Sequence, residues 1–310
     1  MRTAILTLCA LVAFAANSIL CRLALGGAAI DAASFTTIRL ATGALVLALV
    51  LTMRGGGGRA GGAGGDAGVP PRRARAGGSW PSALALFLYA APFSFAYVTL
   101  SAGTGALVLF GAVQATMIGA GLREGDRPHR REWLGLLTAF AGLVVLISPG
   151  LRAPSPIGCA LMAVAGVAWG AYSLRGRDAG RPIAATAGNF LRAAPLALLL
   201  SIASARGAHV TARGALLATL SGAVTSGLGY VIWYAALRGL TATRAATVHL
   251  SVPVLTAFGG VALLGEPVTL RLVIAAALIL GGVGLAVRGL RGRAPARPIA
   301  RMPARPPARP

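Results

Sequence analysis

Residues 249–267 read HLSVPVLTAFGGVALLGEP. His249 and Ser251 stand at the head of the run, Pro253 lies inside it and Glu266 closes it. In water such a segment belongs to a buried core. In hydrocarbon it is part of a spanning helix, which needs roughly 20 apolar residues. The rest of the chain decides between the two solvents. Of 310 residues, 56% are hydrophobic and only 12% charged, against about 25% charged in soluble domains. Mean hydropathy is +0.76. That charge leaves too little polar surface to cover a water-soluble globule of this size, so the bilayer is the expected solvent.

Ten low-charge apolar runs follow one another, at about 3–24, 32–53, 81–100, 103–121, 133–149, 155–174, 182–204, 215–237, 241–263 and 268–288. Long continuous runs favour helices over barrel strands, because a helix satisfies all its backbone groups within one segment. The expected fold is therefore an all-α integral membrane protein with ten transmembrane helices. The first run, MRTAILTLCALVAFAANS, has the basic start, apolar core and small-x-small site (Ala13-Phe14-Ala15) of a secretory signal. Its apolar character continues to Leu25, and removal would leave nine runs, so a retained helix is expected.

Two segments stand apart. RGGGGRAGGAGGDAGVPPRRARAGG, residues 54–78, and the Arg/Pro tail from 289 to 310 lack the apolar surface to pack and are expected to be disordered. The net charge of +22 comes entirely from arginine on the basic side, with no lysine. So basic a chain raises the question of nucleic acid, but the arginines lie mostly between apolar runs, and no nucleic-acid partner is expected. With the N-terminus inside, the inner loops and tail hold Arg2, the 54–75 cluster, Arg123 to Arg131, Arg175 to Arg181, Arg238, Arg244 and the arginines from Arg288 on. The outside keeps only Arg22, Arg152, Arg206, Arg213 and Arg271, an asymmetry of about four to one. Both termini are expected to be cytoplasmic. The missing lysine, with abundant Ala, Gly, Arg and Pro, has the look of a GC-rich bacterial genome, so the bacterial plasma membrane is the expected location. Cys9, Cys21 and Cys159 sit in apolar runs with no C-x-x-C spacing, and neither metal nor cofactor is expected.

The chain also repeats. Runs four and five overlay runs nine and ten at an offset of 140: Ala102 on Ala242, Thr116 on Thr256, Gly125 on Gly265, Gly142 on Gly282, and Asp126 on Glu266. An acidic residue thus follows a glycine at the same hairpin in both halves. Arg39 in run two has a counterpart in Arg192 in run seven. This divides the chain into a first repeat at 1–149 and a second at 150–288. Five spans is an odd number, so the two halves insert in opposite directions, the inverted-repeat architecture of secondary transporters.

These residues resemble the EamA family of ten-helix permeases, within the drug/metabolite transporter superfamily. The resemblance rests on GEP at 265–267 followed by LGGVGLAV at 280–287, on EGDRP at 124–128 with WLGLLTAFAGLVVL at 133–146, on AGVAWGAYSLRGR at 165–177 and on AATAGNFLRAAPLALLL at 184–200. It departs from the family at Asp126, where glutamate is common and where Glu124 is a shifted alternative. The resemblance implies a secondary transporter, an exporter of small metabolites such as amino acids or amphipathic compounds, working by alternating access. Its expected partners are a small-molecule substrate and the lipid bilayer, and a homodimer is left open.

Within that frame Glu266 reads as a carboxylate favoured by a helix dipole, either a cap that fixes the last hairpin, with Pro267 beginning the next helix, or a gating group; Asp126 is its first-half equivalent. Pro253 kinks the ninth span, beside His249 and Ser251. Charged residues deep in a bilayer are functional-site candidates. Arg192 is near the middle of its span, while Arg39 is close enough to an end to snorkel, so Arg192 is the stronger candidate. Asn17, Gln114, Trp169, Tyr172, Arg192, His249 and Ser251 are the cavity candidates, taken from spans one, four, six, seven and nine. Trp169 and Tyr172 share a helix face by spacing. Gly222 with Ser226, and Ala223 with Gly227, read as small-xxx-small packing.

Enzymatic function is the weakest reading. The histidines are His129 and His209 in loops and His249 with no acid nearby in sequence, and all seven acids lie in loops or at helix ends. Without lysine the chain has no Walker-type ATP site. A non-transporting membrane scaffold or receptor is the remaining alternative. The arginine asymmetry predicts that a C-terminal fluorescent-protein fusion is bright and a C-terminal alkaline-phosphatase fusion inactive; an active phosphatase overturns the ten-span topology.

Overall fold

A computed structural model describes residues 1–56, 77–123, 130–148, 153–176, 180–237, 248–249 and 251–289. Asp126, residues 57–76 of the Gly/Arg-rich stretch and the tail from 290 lie outside the described residues. The described chain is helical: α1 Arg2–Gly26, α2 Ala32–Gly56, α3 Trp80–Tyr97, α4 Ala102–Arg123, α5 Arg130–Ile147, α6 Pro156–Gly176, α7 Pro182–Ala203, α8 Ala212–Leu237, α9 Ser251–Leu264 and α10 Leu270–Gly289. Six of these, α1, α2, α4, α6, α7 and α8, are long and apolar enough to cross a membrane, and α5, α9 and α10 carry shorter apolar stretches. Leu45, Phe140, Leu199 and Phe258 are each more than 60% exposed. Helices that are apolar toward the core and apolar outward belong in hydrocarbon. The chain is an all-helical, multi-pass integral membrane protein.

Helix starts are set by hydroxyl caps. The oxygens of Ser79, Ser101, Ser155, Thr211 and Thr269 accept from the backbone N–H of Ser82, Thr104, Gly158, Gly214 and Leu272 at 3.0–3.3 Å. Such caps satisfy donors that the first turn leaves free. The last of them corrects an expectation: α10 begins at Leu270 under Thr269, so Pro267 precedes the helix rather than opening it. Pro92 and Pro195 are internal to α3 and α7. Pro253 lies in α9, and Val248 and His249 just before it are helical as well.

The packing follows a regular scheme. α1 lies on α8 and α9, and α6 lies on α3 and α4. α2 contacts α8, and α7 contacts α3. α2 packs on α7, α4 on α9 and α5 on α10.

At one end of the bundle the α1–α2 link meets the segment before α8. The amide of Asp31 donates to His209 O (3.0 Å) and that of Thr211 to Ala29 O (3.0 Å), making a single antiparallel bridge at Ile30 and Val210. Burial alone raises the Asp31 carboxyl's pKa, but hydrogen bonds from Ser34 and the His209 amide outweigh it and hold the group below the ordinary carboxylate range.

α8 is not a uniform helix. Residues Ser221–Leu228 form a π-helical segment inside it. Wider turns of this kind are frequent at functional sites. Here the segment lies directly against α2. A Cβ on Gly222 would run into the Arg39 carbonyl and the Thr42 hydroxyl. The small-residue reading of Gly222 is thereby explained, and its partner is α2. Gly222→Ala is expected to cost about 1–3 kcal/mol, as overpacking does, and to lower the thermal midpoint in detergent. Gly119→Ala, where a Cβ meets nothing within 4 Å, should be neutral or stabilising. Equal midpoints for the two variants would contradict the close crossing.

Candidate functional site

A narrow cavity of about 30 Å³ lies at the centre of the bundle. That is room for a couple of water molecules and no more. Its wall takes Phe14, Asn17 and Ser18 from α1, Arg39 from α2, and Tyr89 and Phe93 from α3. Across from these stand Leu109 and Phe110 of α4, Trp169 of α6, the π-helical Thr225 and Ser226 with Tyr230 of α8, and His249.

Arg39 is the charge of the site. It is 3% exposed, although its position along the sequence allowed it to snorkel. Its Nε donates to the Ser226 hydroxyl at 3.3 Å and its Nη2 to the Tyr89 hydroxyl at 3.1 Å. The guanidinium carbon sits 5.2 Å from the Tyr89 ring centroid and 5.0 Å from that of Phe93, within cation–π range. The remaining nitrogen, Nη1, is buried without a hydrogen-bond partner.

Asn17 is 5% exposed. Its Oδ1 accepts from the hydroxyls of Ser221 (2.7 Å) and Thr225 (3.2 Å), both on the π-helical segment. Consecutive hydroxyl-bearing turns of that segment therefore serve α1 through Asn17 and α2 through Arg39. With its oxygen engaged, the Asn17 amide group is left as a donor edge.

The aromatic wall is continuous. Trp169 lies 4.7 Å from Tyr89, 5.5 Å from Tyr172 and 5.5 Å from Tyr230, ring centroid to ring centroid. Trp169 and Tyr172 do share a face and stack, but Tyr172 stands behind Trp169 and holds Asn189 at 3.4 Å rather than lining the cavity. His249 is boxed by Phe14 (5.4 Å), Phe110 (5.4 Å) and Trp233 (5.1 Å).

The structure thus brings Asn17, Trp169 and His249 together from distant spans. Gln114 is half-buried one turn along α4 from Phe110 and is not part of the wall, and Ser251 is exposed. Arg192 also lies elsewhere. Its Nη1 donates to the carbonyls of Gly77 (3.1 Å) and Gly188 (2.9 Å), tying the segment before α3 to α7. The two arginines exchange the ranks that span depth gave them. The seats of Arg39 in Tyr89 and Ser226 had no sequence signal, since both partners come from other helices. Among the described residues no cluster of His, Cys, Asp or Glu could hold a metal.

Glu266 lies at the end of the bundle where α3 meets α4. α9 ends in a left-handed turn at Gly265 (φ +64°), which a glycine adopts without strain. The Glu266 carboxylate then reaches α4, with both oxygens 2.9 Å from the amide of Ala102, its first residue. It is therefore a helix cap, but of α4 rather than of α10. Arg22 Nε pairs with it at 3.3 Å, while Arg22 Nη1 donates to the carbonyls of Tyr97 (3.0 Å) and Val98 (3.1 Å) at the end of α3. One carboxylate and one guanidinium thus join α1, the α3–α4 link and the α9–α10 link.

A model described as the EamA-like transporter family matches residues 156–288. An uncharacterized protein of Pseudomonas aeruginosa is 50% identical over 293 residues, which is 94% of this chain and 97% of that protein. A protein of Archaeoglobus fulgidus named an uncharacterized transporter is 30% identical over 197 residues, 62% of this chain and 70% of its own length. A solved crystal structure superposes with a TM-score of 0.61 at 22% identity, over 92% of this chain and 99% of the other. At that identity the likeness is one of fold alone.

Arg192→Met should release two carbonyls and cost about 1–3 kcal/mol, read as a lower thermal midpoint in detergent. An unchanged midpoint would show that those bonds do not hold the α3 approach.

Proposed function

The chain belongs to the EamA-like transporter family, and from that premise we propose that it is a secondary transporter exporting small metabolites, such as amino acids or amphipathic compounds, by alternating access. The observation that carries this reading is the cavity. An apolar bundle keeps Asn17, Arg39 and His249 together at its centre, facing space rather than lipid. Polar groups at such a cost in hydrocarbon mark a substrate path.

The helix packing supports two five-helix repeats. Under the exchange of αn with αn+5, the α1–α8 contact becomes α6–α3, α1–α9 becomes α6–α4, and α2–α8 becomes α7–α3; α2–α7, α4–α9 and α5–α10 map onto themselves. With five spans per repeat the two halves insert in opposite directions, which puts both termini in the cytoplasm of a bacterial cell. The end that carries Arg22, Arg206, Arg213 and Arg271 is then the outer one. There the Arg22–Glu266 pair, helped by the cap on α4, closes the bundle above the cavity. Rocking one half against the other opens that end and closes the opposite one around a fixed site.

The test is exchange of radiolabelled amino acids across a panel in proteoliposomes. At least one compound is expected to exchange, and exchange of none would leave the scaffold alternative. Truncating Trp169 to alanine would empty a wall packed on three rings and cost about 3–5 kcal/mol of stability, so Trp169→Phe is the sharper variant. It should slow exchange about tenfold, the factor given by ~1.4 kcal/mol of lost contact. Unaltered exchange would argue against this cavity as the path.

A further inference from the structure

We propose that the central cavity is an anion site, in which Arg39 anchors the carboxylate of a substrate whose apolar or aromatic body lies against the aromatic wall. This rests on the reading of the chain as a transporter and names the substrate class of the same site.

The argument begins with an incomplete guanidinium. Arg39 has five N–H donors in a fixed fork. Ser226 takes the one on Nε and Tyr89 takes one of the two on Nη2, and the rings of Tyr89 and Phe93 offer their faces. Nη1 has no partner although it is buried. A charged donor left unsatisfied in an apolar interior is among the most expensive arrangements a protein keeps. None of the described residues lining the cavity is acidic, so among them the Arg39 charge has no counter-ion. Arg192, by contrast, places its Nη1 on two carbonyls. Among the described residues two buried side-chain polar atoms lack a partner, Arg39 Nη1 and Thr256 Oγ1, and of these only the arginine is charged.

Charge and size select the ligand chemistry. One guanidinium balances one negative charge, so a dianion such as a phosphate monoester would bring excess charge into a low-dielectric site. A planar carboxylate matches the guanidinium fork. The present space of about 30 Å³ accepts such a group and little else. The Asn17 amide, whose oxygen is engaged by Ser221 and Thr225, offers a second donor to the same space. The rest of the substrate requires the wall of Trp169, Tyr230, Phe14 and Phe110 to part, and those rings present apolar faces. A lone amine cation finds no carboxylate there.

The test uses the full chain, purified in detergent in a low-chloride buffer, with three probes of one shape: phenylacetate, phenylacetamide and phenethylamine. Phenylacetate at about 10 mM is expected to raise the thermal midpoint by at least ~2 °C, as a ligand bound only to the folded state does. The amide and the amine should leave it in place. Arg39→Gln should abolish the shift. Should that variant fail to fold, Asn17→Asp keeps the acceptors for Ser221 and Thr225 and puts a carboxylate into the cavity. It should raise the protein's own midpoint and remove the response to phenylacetate. Equal shifts with all three probes, no shift with phenylacetate, or an unchanged phenylacetate shift in either variant overturns the proposal. A full shift with sodium chloride at the same concentration overturns the carboxylate assignment in favour of an inorganic anion. Counterflow of the same probes in proteoliposomes separates the two readings. Exchange of the amine or amide but not of phenylacetate sinks the anion site and leaves the transporter standing. A phenylacetate-specific midpoint shift with no exchange of any probe or of any amino acid in the panel leaves the anion site and sinks transport.

Discussion

A guanidinium in the middle of an apolar bundle has to be held by its neighbours, and much of the central structure follows from how Arg39 is held. The charge cannot reach water, so its donors need oxygens and its faces need rings. Tyr89 and Phe93, four apart on α3, supply the rings and one hydroxyl. The second hydroxyl must come from α8, across a helix crossing. That crossing is close because Gly222 carries no side chain where it meets the Arg39 carbonyl. One turn on, Ser226 reaches Nε. The wide π turn extends through both residues, and it also aims Ser221 and Thr225 at Asn17 on α1. Four helices, α1, α2, α3 and α8, are therefore registered against one another by polar contacts around a single charge, inside a bundle whose other contacts are largely nondirectional.

A second polar arrangement governs one end of the molecule. In hydrocarbon or at its edge, the amides of a helix's first turn need acceptors. α4 takes one from its own Ser101 and another from Glu266, a residue 164 positions away. The same carboxylate pairs with Arg22. Because the helix N-terminus carries partial positive charge, the carboxylate is stabilised twice from different elements. Separating α9–α10 from both α1 and α4 would strip the two partners from Glu266 together. Such a junction holds one closed arrangement cooperatively rather than yielding by degrees.

Much of this was legible in the sequence. Hydropathy located the described helices, most of whose observed ends lie a few residues from the expected ones, because the length of a span is fixed by the bilayer rather than by subtle propensities. Of the polar and aromatic residues singled out inside spans, Asn17, Trp169 and His249 meet at one cavity, while Gln114, Tyr172, Arg192 and Ser251 lie off its wall. What stayed hidden depends on contacts between helices. A π turn leaves no mark in composition. Depth in a span ranked Arg192 above Arg39, but burial depends on which helix faces the side chain, and Gly77 offers Arg192 a carbonyl from another segment. Likewise Glu266 was readable as a cap, yet the helix it caps is far away in sequence, and local spacing pointed to α10.

The size of the cavity bears on how such a site works. A wall of rings in mutual contact packs against itself when nothing larger fills it, because each ring gains contact with the next. Trp169 has three such neighbours. On the proposed reading, a substrate entering here would exchange ring–ring contact for ring–substrate contact, so the apolar part of binding would be nearly balanced. The buried charge is not balanced in the same way: Arg39 has no internal acceptor for Nη1 to give up. In the proposed anion site, selectivity would therefore fall on the polar end of the ligand, and the aromatic wall would tolerate different bodies.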